Sequence, residues 1–259
     1  MAIRDAFRKM KLIPVLLTVI FMFAVTSCVG SNETTIKGDR NIKTAELALS
    51  SGVYTVVFEN FNFNSTNARG KEKITINESL DSKVLLKTDG NIAETIDMSL
   101  DGAKIVIKGD KSKRYDCTSF EIEIGALVNN LQINSSVNID CVMPSLTEFT
   151  GEINATSSGN MKFGQLDDFS LTINGTASFD INGKSQRSAI TLNGTGSVDA
   201  FDFHTVDTVV KISGTANANV YASGTLNAAI NGTGAIVYDG SPETVDSSGV
   251  TGTGTIKAR

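Results

Sequence analysis

Tryptophan is missing from the 259 residues, histidine occurs once, and proline and cysteine occur three times each. One histidine and three cysteines without C-x-x-C spacing leave no ligand set for a structural zinc. Basic residues are scarce too: 23 Lys and Arg stand against 28 Asp and Glu, a formal net charge of −5. No stretch interleaves Lys or Arg with aromatics, so nucleic acid is excluded as a partner. The one long apolar run, residues 12–25, is too short for a comfortable bilayer span. What the chain does have is Asn, Thr, Ser and Gly, with Ile, Val, Leu and Phe as its main apolar residues. That balance favours strands and turns and points to an all-β fold.

The N-terminus carries an address. Arg4, Arg8, Lys9 and Lys11 form a basic start before the apolar run, as in a signal peptide. Met10-Lys11-Leu12 would open such a peptide equally well, so the true start is left open. The run ends Val25-Thr26-Ser27-Cys28, which resembles a bacterial lipobox: small residues fit a narrow peptidase pocket and the Cys28 thiol accepts the lipid. An uncleaved anchor or an ordinary signal peptide is the competing reading. Residues 1–27 are thus expected as a lipoprotein signal peptide, 28–42 as a flexible tether, and 43–258 as a β domain. The chain is expected to be exported and lipid-anchored in the cell envelope, at the outer membrane or cell surface. Cys117 and Cys141 would share that compartment, where they either pair as a disulfide or lie buried as thiols.

Residues 43–125 alternate in β fashion, as in Lys104-Ile105-Val106-Ile107-Lys108 and Phe120-Glu121-Ile122-Glu123-Ile124, with turns at Thr88-Asp89-Gly90-Asn91 and Leu100-Asp101-Gly102-Ala103. A single weak helical stretch is expected at residues 45–49. Beyond residue 125 a repeat takes over. Asn174-Gly175-Thr176, Asn193-Gly194-Thr195 and Asn231-Gly232-Thr233 are joined by Ser213-Gly214-Thr215, Thr251-Gly252-Thr253 and the degenerate Asn134-Ser135-Ser136 and Asn154-Ala155-Thr156. Their middle residues fall at 135, 155, 175, 194, 214, 232 and 252. Two places before the middle stands an apolar column, Ile133, Ile153, Ile173, Leu192, Ile212, Ile230 and Val250. Further columns, Ile139 to Ile256 and Cys141 to Ala258, flank a polar one of Asp140, Asn160, Asp180, Asp199 and Asn219. In–out alternation repeated at one period describes stacked rungs. The expected fold is a right-handed parallel β-helix, a single-stranded solenoid of rungs about 20 residues long over 131–258, with a less regular N-terminal β region. The Asn column should tolerate left-handed turn angles and hydrogen-bond from rung to rung, with Ser213 and Thr251 interrupting it.

The repeated Ile/Leu-x-Ile-Asn/Ser-Gly-Thr unit and the closing run resemble the head-GIN domain family of bacterial auto-transporter adhesins. In that run, Ala229-Ile230-Asn231-Gly232-Thr233-Gly234 is followed by Val237-Tyr238-Asp239-Gly240-Ser241-Pro242 and Thr251-Gly252-Thr253-Gly254. The resemblance covers roughly residues 43–258 and implies an exported β-helical module on a lipoprotein signal, without catalytic or ligand residues to carry over. Ser135 and Ala155 depart from the family's glycine.

Chemistry-bearing residues are few. Asp180 and Asp199 should stack as rung neighbours, either as a solvated polar face or as a weak Ca²⁺ site. Asp167 and Asp168 form a corner. Asp199, Asp202 and His204 lie close together, but without a G-x-S-x-G nucleophile pattern His204 is expected in a surface loop. The G-T-G strings lack the lysine and following helix of a phosphate loop. No catalytic residue, metal ligand or cofactor is assigned; Cys28 is the one site, as the lipidation position. The expected function is a monomeric envelope lipoprotein with a structural or adhesive module, held to the membrane by lipid and binding a surface carbohydrate or protein. A carbohydrate-active β-helix enzyme and an envelope signalling or stress partner are the alternatives.

Overall fold

The computed structural model of the chain describes residues 33–63 and 72–259, so the signal segment, Cys28 and the start of the tether lie outside the described residues. Glu33–Arg259 form one compact unit. It is nearly all β, with a β-solenoid of about six turns in its C-terminal region and a less regular N-terminal part. Seven repeat markers bound six intervals, which is why the turns number one fewer than the motifs.

The apolar columns form the core as the period demands. Ile133, Ile153, Ile173, Leu192, Ile212 and Ile230 are paired in parallel, rung on rung, and all are buried. The seventh member, Val250, is 37% exposed, because among the described residues no further rung covers it. On the next side of the rung Ile139, Gly159, Phe179, Val198, Ala218, Ile236 and Ile256 stack likewise. Each like-on-like column removes apolar surface from water at about 25 cal/mol per Å² and fixes register, since a one-residue slip would turn it outward.

The N-terminal region extends the same stack. Strand Val53–Glu59 pairs in parallel with Leu127–Asn134, and Glu72–Asn77 with Asn138–Met143. The following segment lies one layer further out: Lys104–Lys108 and Phe120–Ile124 pair with the other edges of those two strands. The apolar column therefore runs Ile107, Phe58, Ile133, out of chain order. Antiparallel strands then close the stack, with Lys83–Asp89 beside Phe120–Ile124, Ile42–Ala48 beside Lys83–Asp89, and Asp97–Asp101 beside Lys104–Lys108. Turning the last strands antiparallel keeps the open edge away from the parallel stack.

Three expectations are corrected here. Thr34–Lys37, inside the segment expected as tether, is a strand paired with Lys113–Asp116, so ordered structure begins before residue 43. The stretch 45–49 lies largely in strand Ile42–Ala48, because its alternate residues pack on the core. The four-residue helix Gly90–Ala93 sits where a simple turn was expected, with Ile92 buried.

Candidate functional site

The turn column sets the outer geometry of the solenoid. Asn154 Nδ2 donates to Asn134 Oδ1 at 2.8 Å, Asn174 Nδ2 to Asn154 Oδ1 at 2.7 Å, and Asn193 Nδ2 to Asn174 Oδ1 at 2.8 Å. The ladder is the one expected from the motif. Its backbone is not: the left-handed angles in the later turns belong to Gly214, Gly232 and Gly252, not to asparagines. At Gly175 and Gly194 the reason for glycine is space, since a Cβ would stand 2.2 and 1.9 Å from the carbonyl oxygen of the turn below. Ala155 keeps its side chain half-buried at the equivalent place. Threonine and serine hydroxyls run beside the amide ladder, with Thr176 and Thr195 at 2.9 Å and Ser178 and Ser197 at 3.1 Å.

The acidic flank is brought together as the spacing predicts. Asp180 and Asp199 are register partners on adjacent rungs, and both are exposed. With Asn160, Phe201, Asp202 and Arg259 they border a shallow recess of about 370 Å³. Much of this chemistry is already engaged. Asp199 Oδ1 accepts the Phe201 backbone N–H at 3.3 Å, and the Arg259 guanidinium lies 4.4 Å from the centre of the Phe201 ring while pairing with Asp239 at 3.3 Å. Further along the column Asp140 accepts from Asn160 Nδ2 at 2.8 Å and faces Lys73 Nζ at 4.0 Å. Among the described residues no group of three His, Cys, Asp or Glu side chains is placed to hold a metal ion.

The remaining sequence candidates have local partners. Asp168 is gripped by Arg187 across one rung, through Nε at 2.6 Å and Nη2 at 2.5 Å. His204 is exposed, but it lies in strand Phe203–Tyr221 and not in a loop, its ring stacked 4.4 Å from that of Tyr221. No disulfide joins Cys117 to Cys141; both are buried. Cys141 stacks between Ile76 and Met161, and burial pushes its thiol up to about 12.

One feature was not visible in the repeat. A groove of about 650 Å³ runs along the hydroxyl columns, from Phe61 and Phe63 at one end past Glu72 and Asn138 to Thr156, Ser158, Thr176 and Ser178. The small residues Ser157, Ala177 and Gly196, of the column between the hydroxyls, also line it. Its aromatic end is supplied by the N-terminal region, which the period of the later rungs does not describe. The Phe61 and Phe63 rings stack at 6.0 Å, and Phe120 meets both edge-on at 5.4 and 4.9 Å. Glu72 Oε1 accepts from Asn138 Nδ2 at 3.3 Å. Among the described residues no helix is long and apolar enough to cross a membrane.

Comparison with known proteins bears on the fold and the family. Residues 62–242 match the family model described as "Putative auto-transporter adhesin, head GIN domain". A crystal structure of a "putative adhesin" from Bacteroides fragilis superposes with a TM-score of 0.68 at 18% identity, over 86% of this chain and all of that one. A "putative lipid binding protein" from Parabacteroides distasonis gives 0.62 at 19%, over 87% and 100%. A "putative adhesin" from Parabacteroides merdae gives 0.54 at 18%, over 87% and 99%. At these identities the likeness concerns the fold. Among curated proteins there is no match.

Proposed function

The chain belongs to the head GIN domain family, and on that premise we propose that it is an exported cell-envelope lipoprotein that displays its β-solenoid as an adhesive binding module. The observation that carries the anchoring half is Val25-Thr26-Ser27-Cys28 at the end of a basic-then-apolar leader. Cleavage before Cys28 removes residues 1–27, and a thioether-linked lipid on that cysteine holds the chain at the membrane. Thr34 is already in strand, so the link between lipid and solenoid is only a few residues long.

The binding half rests on rigidity. Register-locked rungs, a laced turn column and a closed antiparallel end hold side chains on the solenoid's flank at fixed spacing, so that little ordering entropy opposes association. A partner on another surface then meets a preformed array. The reading assigns no catalytic residue. Glycan cleavage by Asp180 and Asp199 is the second reading, favoured by their stacking in one recess. It is weakened by the turn hydrogen bond that occupies Asp199.

Mass spectrometry of the mature N-terminus, combined with protease shaving of intact cells, tests the proposal. A lipid-modified Cys28 and loss of the solenoid on shaving are expected, and Cys28→Ser should release the chain from the membrane fraction. A mature chain that keeps residues before Cys28, or one that shaving never reaches, would overturn it.

A further inference from the structure

We propose that the open end of the solenoid, strand Thr244–Gly252, pairs end to end with the same strand of a second copy of this chain; this rests on the adhesive reading above and names a partner for it. The first ground is an unfinished core. Leu226, Ile230 and Ile236 are buried, and their register partners on the last rung are Val245, Val250 and Ile256. Val245 and Val250 are 39% and 37% exposed, and so is every other residue of Thr244–Gly252 exposed. Antiparallel strands shut the opposite end of the stack; here, among the described residues, the parallel rungs stop at a bare edge.

The mature chain cannot cover this edge itself. Seven register steps, from Phe58 through Ile133, Ile153, Ile173, Leu192, Ile212 and Ile230 to Val250, set it about 34 Å from the first strand's layer. The chain enters at that far layer, where Glu33 accepts from Asn62. Residues 28–32 span about 18 Å when fully extended, and residues 64–71, tied to Phe63 and Glu72, reach out about 16 Å.

Symmetry and charge favour a twin. The strand's register shifts between Asp246 and Gly249, which makes a bulge of Ser247 and Ser248. A two-fold axis between those serines sets Thr244–Asp246 antiparallel to the second copy's Gly249–Gly252, with each Val245 opposite the other copy's Val250. The columns ending in Leu226 and Ile230 then continue from one copy into the next. Asp246, the one charge in the strand, is turned onto the Ser248 backbone N–H at 3.0 Å and its hydroxyl at 2.7 Å. The whole chain carries −5, but residues 240–259 hold only Glu243 and Asp246 against Lys257 and Arg259, so two such ends meet without net repulsion. A rung of about 20 residues at ~3.3 Å each encloses roughly 200–350 Å². That is well under the about 800 Å² per partner of a stable complex. Single pairs are therefore weak, and copies arrayed on two facing surfaces hold by number. Because the chain enters at the far end, tip-to-tip pairing points the two anchors apart and joins those surfaces.

The test couples the mature chain, residues 28–259, to beads through the Cys28 thiol, so that no lipid is needed. Wild-type beads should cluster with one another. Val245→Lys and Val250→Lys should each abolish clustering and raise the dimer dissociation constant in sedimentation equilibrium about ten-fold or more. Ile42→Lys, as exposed at the opposite end, should change neither. Hydrogen exchange of the wild type at rising concentration reads the contact without a substitution: protection should grow in Thr244–Gly252 and not in Ile42–Ala48. Dispersed beads with a chain monomeric at its highest soluble concentration, or clustering that survives both valine variants, would overturn the assignment. So would clustering only after an envelope extract is added, which marks another partner, or full protection of Thr244–Gly252 in the monomer, which puts the chain's own segment there. Clustering by a chain that is not lipidated in cells would remove the anchor alone, so the two readings fail separately.

Discussion

Asn174 and Asn154 stand on successive rungs with the amide nitrogen of the first 2.7 Å from the amide oxygen of the second. Asn193 repeats the contact from the other side, so the Asn174 side chain donates once and accepts once. The geometry uses both ends of the asparagine amide, which an ionised aspartate, an acceptor only, cannot match. Asn174→Ala should cost about 1–2 kcal/mol, two net hydrogen bonds. Conversely, Ser213 is the register partner of Asn231 and interrupts the ladder. Ser213→Asn should add about 1 kcal/mol by rejoining its two parts. Chemical denaturation followed by circular dichroism checks both, through the shift of the midpoint.

Glycine is needed at two kinds of place for different reasons. A Cβ on Gly194 would stand 1.9 Å from the Gly175 carbonyl oxygen, a backbone atom that cannot swing aside. Gly194→Ala should therefore cost roughly 3 kcal/mol or more by forcing rungs apart. Gly102 has φ of +57° with nothing within 4 Å of a Cβ. Gly102→Ala should cost only about 1 kcal/mol, the strain of a left-handed angle. Equal losses in the two variants would mean that close stacking is not what selects glycine in the turns.

The same contrast explains what the sequence could reveal. Like-on-like columns such as Ile133 to Ile230 leave a period in the text, because each rung must present the same residue to the same neighbour. The N-terminal layers leave none. Ile107 and Phe58 sit under Ile133 through strands taken out of chain order, and antiparallel closure removes the need for a repeat. The acidic column was legible for the first reason, and the groove was not for the second: its hydroxyls are periodic, but Phe61, Phe63 and Glu72 come from a layer placed by tertiary pairing alone. A ladder of asparagines likewise suggested left-handed turns, whereas the close approach of rungs assigns those angles to glycine.

Asp89 fastens the antiparallel closure. Its carboxylate is buried, which alone would raise its pKa. The Thr118 backbone N–H at 2.7 Å and the Arg40 backbone N–H at 2.8 Å more than offset this and hold it below the ordinary value of 3.8. A depressed folded pKa gives stability that is present above the unfolded value near 3.8 and lost as pH falls through the folded one. Asp89→Ala should leave two part-buried N–H groups without their acceptor and cost about 2 kcal/mol. Hydrogen exchange should show protection lost first in Thr34–Lys37 and Ile42–Ala48, with the later rungs unaffected. Uniform loss over the whole solenoid would contradict a local fastening.

Cys141 gives the opposite sign. Its thiol, stacked on Ile76 and Met161, is pushed up from 9.0 to about 12 because burial penalises the thiolate. At pH 8 almost none of the folded chain carries the nucleophilic form, so iodoacetamide should leave Cys141 unmodified until denaturant is added, as peptide mass spectrometry would show. Above pH 9 the unfolded chain releases a proton that the folded chain retains, and stability must fall with a slope approaching about 1.4 kcal/mol per pH unit. The contribution is therefore fully present below the unfolded value of 9.0 and lost as pH rises toward about 12. The quantity to measure is the stability of the wild type minus that of Cys141→Ala. That difference should be constant below pH 9 and shrink above it; a difference flat through pH 11 would show that the thiol ionises as easily inside the solenoid as outside.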